Sequence, residues 1–130
     1  MYRVLFSGCV WESSEARRLG KAKSDRYFNY QRTFDMPSPP AVGLRIMFGP
    51  RENIYVRVEI VDVAWHVDLK RYRCSGEDLL LEQLSRPTMA EAVTFFRELR
   101  LKVDVHPLAE SDLLAAIFGK KYAKTKHSPS

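Results

Sequence analysis

Cysteine is scarce in this chain: Cys9 and Cys74 are the only two among 130 residues, too few for a disulfide framework. Long apolar runs are missing as well. No stretch approaches the roughly 20 residues that a membrane helix requires. Residues 1–6 carry one positive charge and too short an apolar stretch for a secretory leader. These absences predict a cytoplasmic protein that does not associate with membranes. The six glycines stand singly, at Gly8, Gly20, Gly43, Gly49, Gly76 and Gly119, which excludes a glycine-rich phosphate loop. Cys-x-x-Cys, His-x-x-x-His and Gly-x-Ser-x-Gly spacings are absent, and no internal repeat is visible. Nothing in the chain nominates a nucleophile, a general base or a cofactor. The expectation is a binding protein rather than an enzyme.

What is present is charge, unevenly placed. The formal net charge is +5. Residues 1–35 contribute +3, residues 36–74 +2, residues 75–118 −4 and residues 119–130 +4. Positive charge therefore concentrates in one internal stretch, Arg17, Arg18, Lys21, Lys23 and Arg26, and in a tail, Lys120, Lys121, Lys124 and Lys126. An acidic region separates them. Such asymmetry suits an anionic partner, either nucleic acid or an acidic protein. The simpler account is a solvated loop and a tail kept basic for solubility.

With 130 residues, 45% of them hydrophobic, the chain can build one core but not two ordinary domains of about 100–200 residues each. Strand signals fill the first half and helix signals the second. This predicts a single α+β domain over residues 1–122, with strands within 2–74, helices within 75–119 and a disordered basic tail at 123–130. Residues 2–11, 26–36 and 42–48 are rich in aromatic and β-branched side chains, as strands are. Arg32 falls on the aromatic face of the second stretch and points to an edge position. Between the first two, Ser14 is placed to cap a helical turn closed by Gly20. Pro37, Pro39 and Pro40 break regular structure, and residues 49–53 read as a turn.

The stretch from 54 to 74 carries a parity switch. Ile54, Val56, Val58 and Ile60 are apolar at even positions, whereas Val61, Val63, Trp65, Val67 and Leu69 are apolar at odd ones. A strand has period two, so one buried face cannot survive that switch without an extra residue. A β-bulge or corner at residues 60–62 is predicted. About five strands with such a corner predict a bent antiparallel sheet or a small, partly open β-barrel, followed by two or three packing helices. Residues 75–84 read as a short helix. Thr88 with Glu91 forms a capping box, and Met89, Ala92, Val93, Phe96 and Leu99 make one apolar helical stripe. Residues 102–106 suit a short strand, and Ser111 begins a last helix carrying Leu113, Leu114, Ile117 and Phe118.

Asp62, His66 and Asp68 share strand parity with Lys70. A carboxylate beside an imidazole can orient a base or help hold a metal. Alternation on a solvent face produces the same pattern, so surface ion pairing is the simpler reading and no metal is expected. Cys9 and Cys74 read as buried, inert thiols. For nucleic acid, the candidate residues are Arg17, Arg18, Lys21, Lys23 and Arg26, the strand end Lys70, Arg71 and Arg73, and Lys120 and Lys121 in the tail. Tyr27, Tyr30 and Tyr72 lie near them and could offer stacking faces, although tyrosines at a core margin look the same in sequence. The expected function is a non-enzymatic binding module for an anionic partner, nucleic acid first. The alternative is a protein-interaction subunit or homodimer that uses the edges of its long strands.

Overall fold

A computed structural model describes residues 1–51, 53–86 and 88–105. Strand β1 (Tyr2–Trp11) turns Val4, Phe6 and Val10 inward and pairs antiparallel with β2 (Tyr27–Met36), Tyr2 opposite Met36 and Trp11 opposite Tyr27. Between them lies the short helix α1 (Ser14–Leu19), one residue off the expected cap: the Ser13 hydroxyl accepts the Ala16 N–H at 3.1 Å. There follow β3 (Arg45–Arg51), β4 (Ile54–His66), β5 (Arg71–Gly76), β6 (Leu79–Leu80), a 3₁₀ turn (Leu81–Leu84), α2 (Met89–Glu98) and β7 (Lys102–Val105). Among the described residues these seven strands make one curled sheet in the order β3-β4-β5-β1-β2-β7, with β6 beside β1.

The corner falls where the parity switch places it. Ile60 lies opposite Gly76 and Asp62 opposite Ser75, so Val61 is the extra residue of a bulge. Before it, β4 pairs with β3; after it, with β5. Gly76 makes the bend possible, because a Cβ there would sit 2.6 Å from Val58 and 2.7 Å from Phe6. The sheet curls around α2, whose Phe96 is fully buried with its ring edge-on to Phe28 at 5.3 Å and to Tyr30 at 5.1 Å. Thr88 caps α2 as expected, its hydroxyl accepting the Glu91 N–H at 3.2 Å.

Several sequence expectations need correction. The sheet is mixed rather than antiparallel, because β5 and β6 both run parallel to β1. Strand β7 lies within the short strand expected at 102–106, β6 stands where a helix was expected, and the described helices are few. The helix expected at 75–84 is instead a two-residue strand and a 3₁₀ turn: Leu79 and Leu81 are both buried, a spacing of two that extended chain satisfies. The odd apolar set after the bulge is only partly covered, with Trp65 50%, Val67 70% and Leu69 54% exposed. There the β4–β5 hairpin runs past the end of the core. Arg32 does lie on the core face, just beyond the end of β7 at Gln31; its guanidinium reaches over the Phe48 ring and donates to the Leu99 carbonyl at 3.4 Å. The helix expected from Ser111 and the lysines Lys120, Lys121, Lys124 and Lys126 lie outside the described residues. No helix among the described residues is long and apolar enough to cross a membrane.

Candidate functional site

The sheet has a core face, under α2, and an outer face. Strand alternation puts Ser7 and Cys9 of β1, Asn29 and Gln31 of β2, Ser75 of β5, and Lys102 and Asp104 of β7 on the outer face. Ser7 stands in register with Gln31 and Ser75, and Gln31 with Lys102; Cys9 stands opposite Asn29, and Asn29 opposite Asp104. These residues, with Lys21 and Asp78 from flanking loops, line a polar cleft of about 330 Å³. The cleft opens where β1 changes its parallel neighbour. Residues 4–7 pair with β5 and residues 10–11 with β6, which leaves Gly8 and Cys9 without a strand on that side.

Helix α1 borders the cleft at one end. Ala16 packs with Cys9, Trp11, Tyr27 and Leu80 in a small satellite cluster on the outer face. Arg17 pairs with Asp78 at 3.4 Å, and Lys21 donates to the Asn29 side-chain oxygen at 3.0 Å while lying over the Tyr27 ring. Arg18 pairs with Glu15, and Arg26 with Glu12. Lys23 is exposed. At the other end, β5 alternation places Arg71 and Arg73 on the same outer face as Ser75, and Lys70 lies in the turn before them. Arg71 is half-buried and its Nε has no hydrogen-bond partner. Of the two described basic groups, Lys21 lines the cleft, and Arg73 stands one outward position along β5 from Ser75 at its other end.

Burial sets the chemistry inside it. The Cys9 thiol is pushed up to about 11, chiefly by desolvation, with Asp78 adding to the rise and Lys21 opposing it. Burial likewise raises Cys74, which faces the core opposite Phe6, so the two free cysteines lie on opposite faces of the sheet. Thiols held neutral in this way are poor nucleophiles. Tyr30 also lines the cleft; its hydroxyl is buried without a hydrogen-bond partner, and burial drives its ionisation upward. Its ring therefore belongs to the core, not to a stacking surface. Tyr72 packs between Tyr2 and Trp65, also away from the outer face. Tyr27 is the one of the three that meets the outer face beside a cation.

The Asp62, His66 and Asp68 trio sits elsewhere. His66 Nδ1 accepts the Leu69 N–H at 3.1 Å within the hairpin turn, and both aspartates are exposed. Among the described residues no three metal-ligating side chains come together. Sequence spacing missed Ser7, Asn29, Gln31, Ser75, Lys102 and Asp104, because only strand pairing brings them together from four strands. The one available signal was their common parity within each strand.

The chain matches no protein-family model, no curated protein and no solved structure. Its function is therefore read from this geometry.

Proposed function

We propose that the protein is a non-enzymatic binding module whose outer sheet face receives an anionic partner, nucleic acid first. The observation that supports this reading is that Lys21 and Lys102 line the polar cleft while Arg71 and Arg73 share its sheet face through Ser75. Lys21, Lys23, Lys70, Arg71 and Arg73 have no ion pair among the described residues, unlike Arg17, Arg18 and Arg26. These five carry charge that no described carboxylate neutralises, as replacing counterions on a phosphate backbone requires. Serine, asparagine and glutamine side chains between them can donate to phosphate and sugar oxygens without adding negative charge.

The test is fluorescence anisotropy with labelled single- and double-stranded oligonucleotides, titrated across salt. Log affinity should fall linearly with log salt, by about 0.7–0.9 per phosphate contacted. Arg73→Ala and Lys21→Ala should each weaken binding and make that slope shallower. Absence of binding at low salt, or affinities untouched by both substitutions, sinks the reading.

A second reading, a protein-interaction subunit or homodimer, has its own observation in the exposed hairpin end at Trp65, Val67 and Leu69. Apolar side chains flanking a strand without a neighbour favour pairing with another chain. Light scattering after size exclusion separates the two, because apolar self-association is nearly independent of salt.

A further inference from the structure

Among the described residues, strand β4 lacks a strand neighbour on one side before Ile60. Over residues 54–59 it pairs with β3 on one side, and β5 joins the other side only from Ile60 onward. The Glu59 N–H donates to Glu77 Oε1 at 3.2 Å, and the Glu59 carbonyl accepts the Glu77 N–H at 2.9 Å. Backbone groups of alternate residues in an antiparallel strand point the same way. The N–H and C=O of Tyr55 and Arg57 therefore point to this same side, away from β3, where no described strand meets them. Beside them runs a groove of about 580 Å³, with β4 as one wall and the segment around Gln83 to Arg86 as the other. Leu79 and Phe95, both nearly buried, lie at its base.

The charge in the groove is not balanced. Glu59 is met by Arg45 at 3.8 Å, and Glu77 by the Glu59 N–H. Arg57 is exposed and has no ion pair among the described residues. Arg86 Cζ lies over the Phe95 ring, 4.2 Å from its centroid, with Nε buried and without a hydrogen-bond partner among the described residues. A guanidinium fixed in this way has lost its side-chain freedom in advance and keeps donors open for a carboxylate.

We propose that this groove binds an extended, acidic peptide segment of a partner protein, added as a strand along Tyr55 and Arg57. The exposed backbone groups supply the main-chain ladder. Successive side chains of an added strand point to opposite faces, so one meets Leu79 and Phe95 and the next meets Arg57, with Arg86 on the facing wall. The preferred segment alternates apolar and acidic residues. This surface is separate from the outer-face cleft and does not depend on the nucleic-acid reading.

The experiment titrates the full chain with a capped heptapeptide of alternating valine and glutamate, against the same peptide with lysine for glutamate, followed by amide shifts in NMR. The expected result is binding of the acidic peptide alone, with shifts centred on Tyr55, Arg57, Leu79 and Arg86. Arg86→Gln should weaken it by about tenfold, as truncating one partner of a charge pair does. Arg57→Ala should weaken it less than Arg57→Pro, which also removes a seam-facing N–H while leaving the β3 ladder its donors. If the proline variant does not fold by circular dichroism, Arg86→Gln decides alone. Equal binding of both peptides, no binding, shifts centred on Trp65 or the cleft, or full affinity in Arg86→Gln would each overturn the proposal.

Discussion

Replacing Gly8 with alanine probes a close contact in the core. Gly8 lies opposite Tyr30 in the β1–β2 ladder, and the tyrosine ring runs across it. A Cβ at this position would stand 2.3 Å from the Tyr30 hydroxyl oxygen, 2.5 Å from Cζ and 2.9 Å from Cε1. Comfortable carbon contacts lie at about 3.5–4.0 Å, so the ring must move by roughly 1 Å. On the core side the ring is hemmed in: Tyr30 is 1% exposed, with the Phe96 ring edge-on at 5.1 Å and the Phe6 ring at 6.3 Å. Overpacking of this kind costs about 1–3 kcal/mol. The smaller backbone entropy of unfolded alanine returns up to about 1 kcal/mol. A net loss of about 1–2 kcal/mol is expected, read as a lower urea midpoint at unchanged m-value.

A cycle with Tyr30 sharpens the test. Tyr30→Phe alone removes a buried hydroxyl that has no partner and should be neutral or stabilising. It relieves only the nearest clash, since Cζ remains, so Gly8→Ala should still cost stability in that background. In Tyr30→Leu the ring is gone and the cost of Gly8→Ala should disappear, giving a coupling energy of about 1 kcal/mol or more. If Gly8→Ala falls within about 0.5 kcal/mol of the natural chain, or costs the same with leucine at position 30, the packing account is wrong.

Three further outcomes follow from the same structure. Thr88→Ala removes the side-chain cap of α2 and should cost about 1 kcal/mol in urea unfolding, while Thr88→Ser should cost much less. Cys9 ionises near its ordinary value of 9.0 when unfolded but at about 11 when folded. Its contribution is therefore complete below pH 9 and is lost between pH 9 and 11, and Cys9→Ala should flatten that alkaline decline. Superimposable pH profiles for the two proteins would refute the burial account. Trp65→Ser, at a half-exposed site, should change monomer stability by less than about 1 kcal/mol. A loss above about 2 kcal/mol would mean that the hairpin end is covered in solution.

The curl of the sheet was readable because it is written in one local rule. The shift of apolar residues from even to odd positions places a bulge within residues 60–62 with no knowledge of any partner strand, and the pairing puts it at Val61. The cap at Thr88 and the buried stripe of α2 were readable for the same reason, since helix periodicity is local. Strand order was not. The parallel placement of β5 beside β1 depends on how the chain returns through β2, β3 and β4, and no spacing records it. The cleft shares that fate, because Cys9, Asn29 and Asp104 are neighbours only through two ladders. The basic residues were visible as a composition, but their neutralisation was not. Arg17, Arg18 and Arg26 look equivalent to Lys21 in sequence, and only the folded chain sets three carboxylates against them.

Both surfaces argued for binding arise at the same kind of place, where a strand changes neighbours. β1 passes from β5 to β6 at Gly8 and Cys9, and the gap becomes the polar cleft. β5 joins one side of β4 only from Ile60 onward, and the stretch of that side before it borders the groove beside Tyr55 and Arg57. An exchange of neighbours leaves backbone donors and acceptors unsatisfied next to a rigid ladder, and unsatisfied polar groups near a core are costly unless something completes them. Where the chain supplies the completion itself, as Glu77 does for Glu59, the position is closed. Where it does not, the position holds a fixed geometry that a ligand can complete without disturbing the fold. Substitutions of exposed cleft or groove side chains such as Lys102 and Arg57 should therefore alter binding far more than stability, the reverse of the pattern expected at Gly8.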